Sequence, residues 1–365
     1  MEENNKRIVS ETFLVKNHYS AIFLSQLFGY FPISVTFSRR KNHSNLNSEI
    51  SVAFIFSFII LLAHILWIIC WTYSSSKIYN SEGITSYILI AWGFIMVPLV
   101  IIVRVQKFRK NTKFLLLWKN LVNFNTKLCQ VLSEQALSTY ISNMGRKNRS
   151  DFYRAVYMTI IVIIHFLMNG IVLFAKYFEF PFSLKFLSWM WDLIIIVYAI
   201  NSCVKISITK TFVVAFNALS AELVACNKYS HCPQFLFAKK QHIADDRNLK
   251  LKTIISLFKE LETLIKKLCI VHSWEILIDV VFATTQILLS IFMIMTTDIS
   301  AILLQFMATC ILAIYCETLW QLCSQGSKIT DSAHEFIDEL ENVSPILMDE
   351  ETKYLVSHNV DHNFL

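Results

Sequence analysis

Six separate stretches of this 365-residue chain are each apolar for about twenty residues, and this limits the fold more than any other feature. A helix crossing the hydrocarbon layer of a bilayer needs about 20 mostly apolar residues. Only helices and closed barrels satisfy their backbone polar groups in lipid. The stretches run over 50–73 ("ISVAFIFSFIILLAHILWIICWTY"), 84–103 ("ITSYILIAWGFIMVPLVIIV"), 155–177, 186–208, 274–296 and 299–321. Composition agrees, with 55% hydrophobic and 16% charged residues against about 25% charged in soluble domains. The expected fold class is therefore all-α, a polytopic membrane protein with six transmembrane helices. A further apolar run, "AIFLSQLFGYFPISV" at 21–35, is too short to span and is expected as a short interfacial segment, turned by Gly29 and Pro32. The first twenty residues hold no continuous apolar core and no small-residue cleavage site, so no signal peptide is expected and the first span acts as the insertion signal.

The net charge of +6 reports orientation before it reports partners, because cytoplasmic loops of membrane proteins collect Lys and Arg. The segment from Arg104 to Arg154 carries eleven Lys/Arg against two acids, Lys228 to Lys267 adds nine, and the N-terminal stretch adds six. The intervening connections "SSSKIYNSEG", "FEFPFSLK" and "TDI" are short and nearly uncharged. One orientation satisfies this alternation, a multi-pass chain with a cytoplasmic N-terminus and, after six spans, a cytoplasmic C-terminus. The tail, with two Lys against nine acids, contributes little to the rule. Sequons at Asn42, Asn148 and Asn342 all fall on the cytoplasmic side and are expected to stay unglycosylated. The nine Cys lie in spans or cytoplasmic segments, which argues against a disulfide framework.

The two long inner segments, 104–154 and 209–273, are expected to be helical extensions that pack on each other below the membrane. Leu251, Ile254, Phe258, Leu261, Ile265 and Leu268 recur at helical spacing with Lys and Glu on the other face, and the pattern runs without a breaker into the fifth span. The 114–143 region has the same spacing. The fourth span continues past Lys205 and Lys210, which are expected to snorkel to the inner interface. Glu275, Asp279 and Glu317, toward the inner ends of the fifth and sixth spans, offer themselves as partners for these lysines, since intramembrane charges pair. The expected organisation is then an N-terminal cytoplasmic segment (1–49), the six-helix bundle with its extensions (50–323) and an acidic cytoplasmic tail (324–365).

Several chemistries find no support. The basic residues are scattered and carry no nucleic-acid motif. There is no Gly-rich phosphate loop, no nucleophile–base pair and no Cys/His spacing suited to zinc. His358 and His362 stand at i,i+4, but without further ligands they read as a solvated tail. No enzyme activity, metal or cofactor is expected.

The cytoplasmic N-terminus, "FLSQLFGYFPI" just before the first span with its Gly29 and Pro32, the long extensions on the middle helices and "ITDSAHEFIDELENV" at 329–343 together resemble the insect gustatory receptor family. The resemblance covers essentially the whole chain through loose motifs. It implies a bundle like that of insect odorant receptors, with seven helices and a central anchor domain made by the cytoplasmic extensions. It also implies assembly as homo- or hetero-tetrameric, tastant-gated, non-selective cation channels of the plasma membrane. The family's last helix lines the pore and carries Thr-Tyr and a terminal Gln-Phe, and this sequence departs from the pattern there. After Trp320 no run of about 20 apolar residues follows, and "TKYLV" at 352–356 gives way to polar "SHNVDHN". The expectation is a receptor subunit truncated before its pore helix.

In this family tastants bind in the outward-facing half of the bundle. Carried onto this chain, that region holds Tyr87 and Trp92 on the second span, Asn169 and Tyr177 on the third, and Trp189, Asp192 and Tyr198 on the fourth. Gln286 lies mid-depth on the fifth, and Gln305 is in the outer half of the sixth. Aromatics with a few polar groups suit a small organic ligand. The same residues also suit an aromatic belt, an interfacial acid and interhelical hydrogen bonds. A G-protein-coupled receptor is disfavoured by the orientation and by the lack of an outer disulfide pair. A secondary transporter is disfavoured by the absence of a repeat and by few Gly or Pro breaks.

Overall fold

A computed structural model of the chain describes residues 2–31, 34–38, 43–47, 52–78, 98–174, 198–228, 237–296, 302–343 and 348–361. These form α1 (Glu2–Leu27), a hairpin of β1 (Ser34–Ser38) and β2 (His43–Asn47), α2 (Val52–Ile78), α3 (98–109), α4 (Asn111–Val131) and α5 (Glu134–Phe174). A 3-10 turn (Ala199–Ser202) then leads into α6 (Cys203–Lys228), followed by α7 (Phe237–Thr296), α8 (Ile302–Glu341) and α9 (Glu350–Asp361). The packing is all-α. The hairpin is the exception, pairing Val35 with Leu46 in antiparallel register, where "SVTFS" supplies residues that favour a strand.

Five helical segments are long and apolar enough to cross a membrane: Val52–Cys70, and within longer helices Glu134–Ile171, Ala199–Asn227, Asp246–Thr296 and Gln305–Glu341. They fall on the expected first, third, fourth, fifth and sixth spans. Residues 84–97 of the expected second span and 186–197 of the fourth lie outside the described residues. α2 presents Val52, Ile55, Phe58, Ile59, Leu62, Leu66 and Ile69 to the outside, an apolar face that lipid would cover.

The helices continue well past any bilayer. α7 has 60 residues, which at 1.5 Å per residue is about 90 Å, roughly three hydrocarbon thicknesses. Its expected apolar stripe is the core of the extension: Leu251, Ile254, Phe258, Leu261 and Leu268 are buried, with Ile265 packed at the edge. Phe258 stacks on Phe336 of α8 with ring centroids 4.3 Å apart and meets Phe216 of α6 edge-on at 5.7 Å.

Four expectations change. Of the segment at 21–35, residues 21–27 are the end of a 26-residue helix that packs on α4, α5 and α6. Its buried stripe of Leu14, His18, Ala21, Ile22 and Ser25 has helical spacing, but polar members hide it from a hydropathy scan. The 114–143 region is broken at Leu132, whose backbone is extended. There the next residue, Ser133, gives both its backbone N–H and its hydroxyl to Glu222 of α6 at 2.8 Å each. The expected tail does not begin at 324, because α8 runs on to Glu341 and buries Ala333, Phe336 and Leu340; α9 then packs on α7 and α8. Lys205 does not snorkel, its side chain being buried among carboxylates.

Candidate functional site

The densest polar chemistry sits where α1, α3, α6 and α7 converge at the inner ends of the expected spans. Tyr198, Asn201 and Lys205 follow one another at i, i+3 and i+7, which puts them on one helix face. All three donate to Asp279 of α7: Tyr198 Oη and Asn201 Nδ2 to Oδ1 at 2.8 Å each, and Lys205 Nζ to Oδ2. One turn earlier on α7, Glu275 lies 3.3 Å from Lys107 Nζ of α3 and 3.8 Å from Lys205 Nζ, and meets His272 Nδ1 at 3.0 Å. A carboxylate only accepts, so His272 carries its proton on Nδ1 and turns Nε2 away from Glu275.

Arg104, three residues before Lys107, locks this cluster to the end of α1. Gly29 has φ +70 and ends the helix. Tyr30 N–H reaches Ser25 O at 2.7 Å and Gly29 N–H reaches Gln26 O at 3.0 Å, the two bonds of a Schellman motif. The Gly29 and Phe28 carbonyls then accept from the Arg104 guanidinium at 2.8 and 3.1 Å, and the guanidinium lies 3.9 Å over the Tyr30 ring. A side chain at 29 is excluded on two counts, the positive φ and an added Cβ that would stand 2.8 Å from Ile60 Cδ1.

A second cluster fastens α1 to α5 and α6. Ser207 gives its proton to Asp151 at 2.6 Å. Its oxygen therefore receives from Lys147 Nζ and from His18 Nδ1, each at 2.8 Å. His18 Nε2 accepts from Thr211 at 3.0 Å. Burial first, then the Lys147 ammonium, hold the His18 pKa well below its usual value, so the ring is neutral. Asp151 also pairs with Lys210 at 2.9 Å, and Glu317 pairs with Arg154 at 3.0 Å. Of the expected charge pairings, the Lys205 pairs with Glu275 and Asp279 form; Lys210 and Glu317 find other partners.

Of the sequence-named ligand residues, Tyr87, Trp92, Tyr177, Trp189 and Asp192 lie outside the described residues. Tyr198 is buried against Phe282, with centroids 4.3 Å apart. Gln286 stands one turn further along the same buried face of α7, which comprises Asp279, Phe282, Gln286 and Ser290. Its Nε2 is buried with no hydrogen-bond partner among the described residues. Asn169 is buried on α5 and Gln305 half-buried on α8. Arg104, Lys107, His18 and Lys147 are not singled out by the sequence; the first, second and fourth count there only as basic residues of an inner helical segment. The i,i+4 spacing of Lys147 and Asp151 was their only local signal.

The cleft beside Glu275 is lined by Phe31, Lys107, Lys110, Asn111, Phe114, Val204, Lys205, Val271 and His272 and has a volume of about 20 Å³. That is room for one water-sized occupant. A wider groove of about 650 Å³ runs between α5, α6 and α8, past Ser133, Asn217, Glu335 and Glu339. No group of three or more His, Cys, Asp or Glu suited to a metal occurs among the described residues. Asp279, Glu275 and Asp151 each gather several donors from neighbouring helices, so the arrangement fastens those helices to one another. The sequence matches no protein-family model, and a search of curated proteins finds no match.

Proposed function

We propose that this chain is a gustatory-type chemosensory receptor of the plasma membrane, a subunit of a tetrameric, tastant-gated, non-selective cation channel with a cytoplasmic N-terminus. It takes a small organic tastant in the outer half of a six-span bundle and uses no cofactor. Tyr87, Trp92, Asn169, Tyr177, Trp189, Asp192, Gln286 and Gln305 are the residues offered to that ligand, while Tyr198 is committed to Asp279 at the junction. The observation that most supports this reading is the continuity of α5, α6, α7 and α8 from apolar segments into one packed extension. A helix that is rigid through both parts couples a ligand at one end to packing at the other. The buried charges at the junction tie the helices together where that coupling must pass.

The test is whole-cell recording from cells expressing the chain, alone and with other gustatory subunits, with surface expression verified. Tastant-evoked cation current when other gustatory subunits are co-expressed, without ligand uptake or G-protein activation, is the expected result. Uptake of labelled ligand without current would assign a secondary transporter, and G-protein activation without current a G-protein-coupled receptor; either overturns the channel reading.

A further inference from the structure

The exposed face of α7 changes character along its length. Leu288, Val281, Leu277, Trp274, Ile270 and Lys267 are all exposed, and their steps of seven, four and three keep them on one face. Aliphatic side chains give way to an indole and then to an ammonium. α5 repeats the order on its own exposed face, from Ile171, Leu167 and Ile160 through Tyr153 to Arg149 and Arg146. The two rings stand at one depth. α6 holds Glu275 at Lys205 (3.8 Å) and Asp151 at Ser207 (2.6 Å). Ser207 is two residues nearer the extension than Lys205, and Tyr153 is two residues further from it than Asp151, which brings Tyr153 level with Trp274. Apolar, aromatic, then basic is the order that a helix meets in passing from hydrocarbon to headgroups.

The cations at the basic end are short of acids. Lys113 at the start of α4 and Lys267 are exposed, and neither forms an ion pair among the described residues; Glu262, the nearby acid of α7, is taken by Lys266. The two share one seam. Lys127 of α4 pairs with Glu260 of α7 at 2.8 Å. Lys113 lies two heptads before Lys127 and Lys267 one heptad after Glu260, so each keeps to the side of its helix that faces the seam. The contact of Lys110 Nζ with the Val271 carbonyl at 2.7 Å lies about one turn from each and sets them at a common depth.

We propose that this α4–α7 seam holds the headgroup of an anionic phospholipid, its negative groups between Lys113 and Lys267 and its chains along Ile270, Trp274 and Leu277. An acidic protein segment would meet the two charges but leave the adjoining apolar face bare. A lipid meets both. The orientation proposed above decides only the leaflet. It puts the seam on the cytoplasmic side, where anionic lipids attract each Lys or Arg near the surface. The seam itself is independent of what the bundle senses.

The test is quenching of Trp274 emission in the whole chain, reconstituted into phosphatidylcholine vesicles that contain a minor share of phosphatidylserine brominated on its acyl chains. The same share of brominated phosphatidylcholine is the reference, and the chain with Trp274→Phe isolates the Trp274 signal. Brominated phosphatidylserine should quench Trp274 more strongly than the reference. Lys113→Gln and Lys267→Gln should each reduce that preference by up to about fivefold, the worth of one basic residue near an anionic surface. Inorganic phosphate added at matched ionic strength should leave the preference unchanged. Equal quenching by the two lipids in the unaltered chain would overturn the site, whatever the variants do. So would loss of the preference on adding phosphate, which would assign the seam to a free anion, or an undiminished preference in the Lys113→Gln, Lys267→Gln double variant once its thermal melt shows it folded.

Discussion

Lys205 and Asp279 face each other from α6 and α7 with their side chains 4% and 3% exposed, and Glu275 shares the same ammonium at 3.8 Å. The pair joins the first turn of α6 to α7, the longest of the described helices, at the level where the apolar spans give way to the extension.

Removing one member leaves the other buried without its nearest opposite charge. Lys205→Met and Asp279→Asn should each destabilise the chain by about 3–5 kcal/mol, the usual cost of breaking a buried pair. The double variant should lose less than the sum, because contacting residues couple. Thermal melts of the four proteins in one detergent measure this. Strict additivity would mean that the two residues do not form a functional pair.

Gly29 makes a sharper local prediction. Its φ of +70 and the 2.8 Å approach to Ile60 both oppose a side chain, so Gly29→Ala should lower stability by more than the roughly 1–2 kcal/mol of a left-handed residue alone. Gly145 is the control. It lies inside α5 with nothing within 4 Å of an added Cβ, so Gly145→Ala should raise stability by about 0.5–1 kcal/mol. Equal effects in thermal melts would remove the argument for the α1 turn.

These two sites show how far the sequence was legible. Apolar length found five of the helices, and the 3.6-residue stripe from Leu251 to Leu268 correctly gave the core of the extension. Gly29 was visible as a turn. Its partner Arg104 was not, because 75 residues separate them and nothing local distinguishes a buried guanidinium from a solvated one. α1 was misjudged for a related reason: His18 and Asn17 are polar yet buried, since Lys147 donates to the Asn17 carbonyl and His18 joins the Ser207 cluster. Hydropathy treats such residues as solvent-facing. Lys205 was placed at the interface by the same rule. The acids that hold it are some seventy residues on and were recognised only as potential partners.

The start of α9 is sensitive to acid. Asp349 accepts Thr352 N–H at 2.7 Å and Lys252 Nζ at 3.0 Å. The hydrogen bonds from Thr352, then that from Lys252, hold its pKa at about 2, below the ordinary 3.8. A depressed carboxyl contributes its stability above the unfolded value and loses it as pH falls through the folded one. α9 should therefore stay docked above pH 3.8 and loosen as pH falls toward about 2. Hydrogen exchange across Glu350–Asp361 follows it, and Asp349→Asn should release the same amides at neutral pH. Protection unchanged in that variant would show that packing alone holds the helix.

The expected orientation can be tested without a ligand. Asn42, Asn148 and Asn342 are all acceptor sequons, and a cytoplasmic N-terminus with six spans keeps each away from the glycosylation machinery. The chain expressed in insect cells should show no mobility shift on deglycosylation, whereas a sequon introduced into the 297–301 connection and spaced from the membrane should acquire a glycan. A glycan on Asn148 would reverse the bundle and with it the assignment of outer and inner halves.

Gln286 separates a ligand residue from a structural one. A buried amide whose Nε2 lacks a partner, as here among the described residues, costs about 1–3 kcal/mol, and leucine has a similar size without the polar atoms. Gln286→Leu should therefore leave the unliganded chain as stable as before or raise its melting temperature. If the unmet donor is kept for a tastant, the same substitution should weaken the response about tenfold through the lost hydrogen bond. Both readouts are needed, a melt without ligand and a dose–response series with any tastant that activates the channel. A lower melting temperature would assign Gln286 to interhelical packing. Unchanged potency would remove it from the ligand site and leave the wall to Asn169, Gln305 and the aromatic residues of the outer ends.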